Sequence, residues 1–180
     1  MIIRPTPLAG AYVITPERRE DQRGFFARVW CEHELAAQGL NTRVAQCSIS
    51  YNQRRGTLRG MHFQVAPAAE IKLVRCIRGT IHDVIIDLRP DSHTYLQHYA
   101  VQLSGENRLA LYVPEGFAHG FQTLVDDTEV YYQMNVIFAA EHARGVRWND
   151  PAFGLSWPIP NPIILERDDH YADFAEQVLA

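Results

Sequence analysis

Apolar and β-branched residues recur along this chain in short runs, each closed by Gly, Pro, Asn or Asp, and not in a sustained helical period. Ala11–Ile14, Phe25–Trp30, Val44–Tyr51, Leu58–Gln64, Ile71–Ile77 and Ile81–Leu88 read as strands. Tyr99–Leu103, Leu109–Val113, Gly120–Leu124 and Thr128–Asn135 continue the series at regular spacing. Arg78-Gly79-Thr80 reads as a tight hairpin turn, and Glu17–Gly24 as a charged loop. Cys31–Gly39 is the best helix candidate, with Gly39 as its stop signal. From Asn149 the chain is rich in Pro and aromatics and ends in a polar, helix-compatible segment. Many short strands with one helix between them predict an all-β jelly roll with short peripheral helices. With no linker or repeat in view, residues 1–180 are expected to form one domain.

Composition narrows the function. The formal net charge of −4 gives no basic footprint, so nucleic acid is not an expected partner. No run approaches the roughly 20 apolar residues of a membrane span, and the first residues lack a signal peptide's apolar core. Cys31, Cys47 and Cys76 form no Cys-x-x-Cys pair, which argues for a reducing compartment. These features together predict a cytoplasmic protein. Of 17 basic residues one is Lys and 16 are Arg, so Lys72 marks the one position where a compact ammonium replaces a planar fork.

Gly56–Gln64 carries a near-neutral base, His62, and an anion-binding Arg59 in nine residues. On Ile71–Ile77 the side chains alternate, so Lys72 shares a face with Val74 and Cys76, directed towards a barrel interior. A lysine there needs a partner, and Asp83 and Asp87 on the next strand are its candidate counter-ions. Tyr131 and Tyr132 must face opposite sides of their strand. Pro114-Glu115-Gly116-Phe117-Ala118-His119 resembles the second motif of the cupins, β-barrels in which that His often binds a metal. Cupin metal sites usually add a His-x-His pair, here broken by Gln64, leaving His62, His119 and Glu70 as candidate ligands.

Arg23-Gly24-Phe25-Phe26, Thr57–Gln64, Lys72-Leu73-Val74-Arg75, Pro114–Phe121 and Trp148-Asn149-Asp150 occur in one order and spacing. Together they resemble the dTDP-4-dehydrorhamnose 3,5-epimerase family of cupin-fold enzymes, over about residues 3 to 170. The resemblance implies a cofactor-free and metal-free homodimer acting on a nucleoside diphosphate linked to a 4-keto-6-deoxyhexose. It implies His62 as proton acceptor, Asp168 as its carboxylate partner, Tyr132 as proton donor and Lys72 at the 4-keto oxygen. Arg23, Phe26, Arg59 and His119 match positions near the diphosphate or sugar. A one-carbon epimerase, a different nucleotide, a metal-dependent cupin enzyme and a non-catalytic binding module are the competing readings.

The departures from the family pattern cluster where the nucleotide is expected. Arg28 stands where the family usually has Glu. The nucleotide-contacting Gln-x-Asn reads Gln46-Cys47-Ser48, and the base-stacking Tyr is Phe138. Ala143 replaces a Glu, and Arg167 replaces the Lys before Asp168. Kept chemistry with a more positive pocket predicts a relaxed or shifted base preference.

Overall fold

The structure, a computed structural model, describes residues 1–174. Two sheets face each other. The first has the order β1 (Ile2–Pro5), β2 (Tyr12–Thr15), β10 (Ala110–Val113), β7 (Lys72–Arg78), β12 (Thr128–Met134) and β5 (Gln46–Asn52). The second runs β13 (Ala143–Gly145), β6 (Thr57–Gln64), β11 (Phe117–Thr123), β8 (Thr80–Asp87) and β9 (His98–Ser104). β14 (Ile163–Ile164) adds parallel to β6. All other pairings are antiparallel, which gives the expected jelly roll.

The interior follows from the two-residue period of the strands. Val74 and Cys76 of β7, Leu111 and Val113 of β10 and Val130 of β12 meet Ile81 and Ile85 of β8 and Phe117 and Phe121 of β11. Each such side chain, fully withdrawn from water, is worth about 1.5–3 kcal/mol. The opposite faces are also covered. Met61, Val84, Ile86 and Ala118 of the second sheet lie under Val146, Phe153, Trp157 and Phe174. Ile14, Leu73, Ala110 and Tyr112 of the first sheet lie under Leu35 and Trp30. Burial on both faces fits the consecutive apolar residues Val84, Ile85 and Ile86 of β8.

The structure departs from the sequence expectation in particular places. Arg78-Gly79-Thr80 is not a hairpin within one sheet: β7 and β8 lie in different sheets. Gly79, at φ +77°, turns the chain from one layer to the other, where a Cβ would run into Thr128. The charged segment Arg18–Asp21 is a strand, β3, paired with β4 (Gly24–Ala27) in a separate exposed hairpin. Every residue of β3 is exposed, so no alternation could announce it. The helix expected over Cys31–Gly39 shortens to α1, Glu32–Ala36, with Leu35 as its buried anchor. α2 is a single turn at Glu166–Asp169, and a 3-10 turn spans Ala140–His142.

Candidate active site

His62 on β6 and His119 on β11 are directly opposite in the strand register, so both side chains stand on one face of the second sheet. That face lines a cleft of about 1010 Å³. Arg59, Lys72 and Tyr132 line it too, with Gln46, Ser48, Phe138, Arg167 and Asp168. The alternation that placed Lys72 with Val74 and Cys76 holds, as does the divergence of the two tyrosines. Tyr132 packs against the interior cluster while Arg75, beside Tyr131 in the register, faces outwards to the carbonyls of Val29 and Arg108.

Each histidine is held by a carboxylate. His62 Nε2 lies 2.9 Å from Asp168 Oδ1. β14 brings Asp168 there: Ile163 and Ile164 pair with Thr57 and Leu58, and α2 begins two residues later beside His62. Arg167 Nε donates to Asp168 Oδ1 at 3.0 Å, and the Gly60 amide donates to Oδ2 at 3.3 Å. Burial pushes the Asp168 carboxyl up, but His62, Arg167 and the Gly60 amide outweigh it and hold it below its ordinary value. His119 Nε2 lies 3.0 and 3.1 Å from the two oxygens of Asp83. Asp83 sits on β8 opposite Phe121, the diagonal neighbour of His119.

Lys72 Nζ lies 2.9 Å from Glu70 Oε1 and donates to the His62 carbonyl at 3.4 Å. This corrects the expected counter-ions. Asp83 serves His119, and Asp87 is taken by Arg89, Ser92 and Thr94. The β8 carboxylates lie across the sandwich, whereas Glu70 precedes Lys72 by two residues and enters the cleft beside it. Tyr132 lies edge-on to His119, with ring centroids 6.2 Å apart. Burial pushes its phenol far above the ordinary range, Asp83 adds to the shift, and Arg59 and Ser50 oppose it. Tyr132 is therefore a neutral O–H donor at neutral pH.

Three of the residues singled out in the sequence stand apart from the cleft of their own chain. Arg23, its side chain 89% exposed, pairs with Asp21 at the tip of the β3–β4 hairpin. Phe26 is 74% exposed on β4. Arg28 pairs with Glu34 of α1. Glu70, Arg144 and Tyr171 line the cleft without having been expected as substrate contacts. Tyr171 stands edge-on to His62 at 6.3 Å and packs so closely on Gly145 that a Cβ there would overlap its ring. The signal for Glu70 was its position beside the sole lysine. Tyr171 gave none, because its contact depends on how the tail folds back.

The sequence model described as dTDP-4-dehydrorhamnose 3,5-epimerase matches residues 5–176. The chain belongs to that family. It is 40% identical to the dTDP-4-dehydrorhamnose 3,5-epimerase of Sinorhizobium fredii, over 94% of this chain and 87% of the relative. It is 35% identical to a dTDP-4-dehydrorhamnose 3-epimerase of Streptomyces niveus, over 98% of this chain and 85% of the relative. The crystal structure of the Bacillus anthracis 3,5-epimerase, with TDP and pyrophosphate bound, superposes with a TM-score of 0.92 at 38% identity, covering 96% of this chain and 98% of that one. Family and jelly roll thus stand as the sequence motifs implied. Among the described residues no helix is long and apolar enough to cross a membrane.

Proposed function

We propose that this epimerase-family chain inverts C3 and C5 of a nucleoside-diphosphate 4-keto-6-deoxyhexose, with His62 as base and Tyr132 as acid. The observation that carries the reading is the convergence of the His62–Asp168 couple, Lys72 and Tyr132 on one cleft. C3 and C5 flank the C4 ketone, so their C–H protons are the acidic ones of the sugar. Removing one places negative charge on O4. An ammonium aimed there stabilises the transition state, and Lys72 has two of its three donor directions fixed by Glu70 and the His62 carbonyl. Asp168 fixes the imidazole and stabilises its cationic form, which leaves the ring nitrogen that Asp168 does not hold as the basic atom. Return of a proton to the opposite face of the enolate inverts the centre, and the Tyr132 hydroxyl supplies it. His62 must be free to take a proton, so no step is assigned to a metal or redox cofactor.

Arg59, Arg167 and Arg144 place positive charge around the cleft, which suits a diphosphate. Arg23 and Phe26 project away from it, so a substrate role for them needs a second copy of the chain. A homodimer supplies one, and the exposed Phe25, Phe26, Ile49 and Tyr51 are apolar surface for it to cover. The free thiols of Cys31, Cys47 and Cys76 suit the reducing cytoplasm.

Incubation in deuterated water with a thymidine-diphosphate 4-keto-6-deoxyhexose tests the activity. Exchange at two carbons is expected. Exchange at C3 alone would make the enzyme a 3-epimerase, and exchange at neither would reduce it to a binding protein.

A further inference from the structure

Two consecutive backbone amides at the cleft mouth are held by glutamines from opposite sheets. The Phe138 amide donates to Gln46 Oε1 of β5 at 3.0 Å. The Ala139 amide donates to Gln64 Oε1 of β6 at 2.7 Å. Gln64 also donates Nε2 to the Ala68 carbonyl at 3.1 Å. Gln64 is only 3% exposed, whereas Phe138 is 58% exposed and free of the core. An exposed ring on a connecting segment would ordinarily sample many positions. Here the backbone beneath it is tied to both layers of the sandwich, one tie by the buried Gln64, whose amide is engaged at both its oxygen and its nitrogen.

We propose that Gln64 is a positioning residue for nucleotide recognition: it fixes the Phe138 backbone so that the ring stands ready to stack on the base. The inference rests on the nucleotide-sugar reading above. Holding the ring in place before the ligand arrives reduces the ordering cost of binding. Gln46 contributes the second tie. With its oxygen turned to the Phe138 amide, its NH2 group is the free donor, suited to a base carbonyl. Gln64 lines the same cleft but acts on the base through Phe138, not on the reacting carbons.

Calorimetric titration with thymidine diphosphate and with inorganic pyrophosphate tests this, because the second ligand has no base to stack. Gln64→Leu is expected to weaken thymidine diphosphate binding by about 10-fold, the scale of one base–aromatic stack, with pyrophosphate binding within about two-fold of wild type. In a Phe138→Ala background the same change is expected to have no further effect on thymidine diphosphate. Equal losses for the two ligands, no loss for either, or a loss that persists without Phe138 would overturn the proposal. Should Gln64→Leu not fold, Gln64→Asn, which withdraws the amide by one methylene, carries the same comparison with the same outcomes. Wild-type protein that binds no thymidine diphosphate would instead refute the nucleotide-sugar reading itself.

Discussion

The two histidine–aspartate couples of the cleft use the same atoms and differ in where they sit. His62 and His119 face each other across one strand pair, and each gives Nε2 to a carboxylate near 3 Å. The side chain of His62 is 34% exposed and that of His119 only 4%. Asp168 has further donors in Arg167 and the Gly60 amide, whereas His119 is the one ion-pair partner of Asp83 among the described residues. An imidazole open to the cleft can exchange protons with a ligand. His119 is nearly withdrawn from water, against a carboxylate with no exposure. On the proposed mechanism the more open couple supplies the base, so the same chemical pair differs in use according to its solvent access and the number of groups sharing its charge.

The sharpest way to break this comparison is to remove each imidazole in turn. His62→Ala is expected to slow C–H exchange by about 10²–10⁴-fold while thymidine diphosphate still binds. Near-wild-type exchange would move the base elsewhere. His119→Ala should show the reverse emphasis, a stability loss of about 3–5 kcal/mol by denaturant unfolding, because Asp83 is left buried and unpaired. If adding Asp83→Asn does not recover most of that loss, the buried couple is not what holds this region.

Lys72→Arg tests whether the charge must be a point. A fall in exchange rate of about 10-fold or more is expected, since a planar fork cannot keep both the Glu70 and His62 contacts while aiming a donor at O4. Activity within about threefold of wild type would make Lys72 a structural residue.

The pH dependence of unfolding sharpens the open couple. Asp168 is held below its ordinary value of 3.8, so its ionised form stabilises the fold. That stability is fully present above the unfolded value and is lost as pH falls through the lower folded value. The difference between wild type and Asp168→Asn should therefore shrink as pH falls below about 4. A difference that grew as pH fell below that value would contradict the assignment. The smallest effect concerns the base. Turnover of the same sugar on thymidine, uridine, cytidine and guanosine diphosphates should differ by less than about 10-fold if Ser48, Phe138 and Ala143 have loosened readout. Strict thymidine preference would show that other cleft residues compensate.

Alternation placed Lys72 inward, and the family motifs marked His62, His119 and Tyr132; all four line the cleft. What stayed hidden depended on register or on chain return. Nothing local says that β6 and β11 set His62 opposite His119, or that β7 and β8 cross between sheets and do not pair. The same reason made Asp83 a plausible partner for Lys72 and the wrong one. β1 and β13 were missed because they are short strands whose residues include Arg4, Pro5 and Arg144, and β14 because it is only Ile163–Ile164. Arg28 was expected to add charge to the pocket, but in its own chain Glu34 takes that charge outside the cleft.

Strand β14 has a consequence for the order in which the protein becomes an enzyme. The Asp168 carboxylate that holds His62 also reaches Gly60, 108 residues earlier in the chain. A ribosome has therefore made both halves of the sandwich, with the lysine, the tyrosine and both histidines, before Asp168 exists. A chain interrupted before β14 would leave His62 without the carboxylate that holds it and, on the proposed mechanism, would leave the base without the group that steadies it.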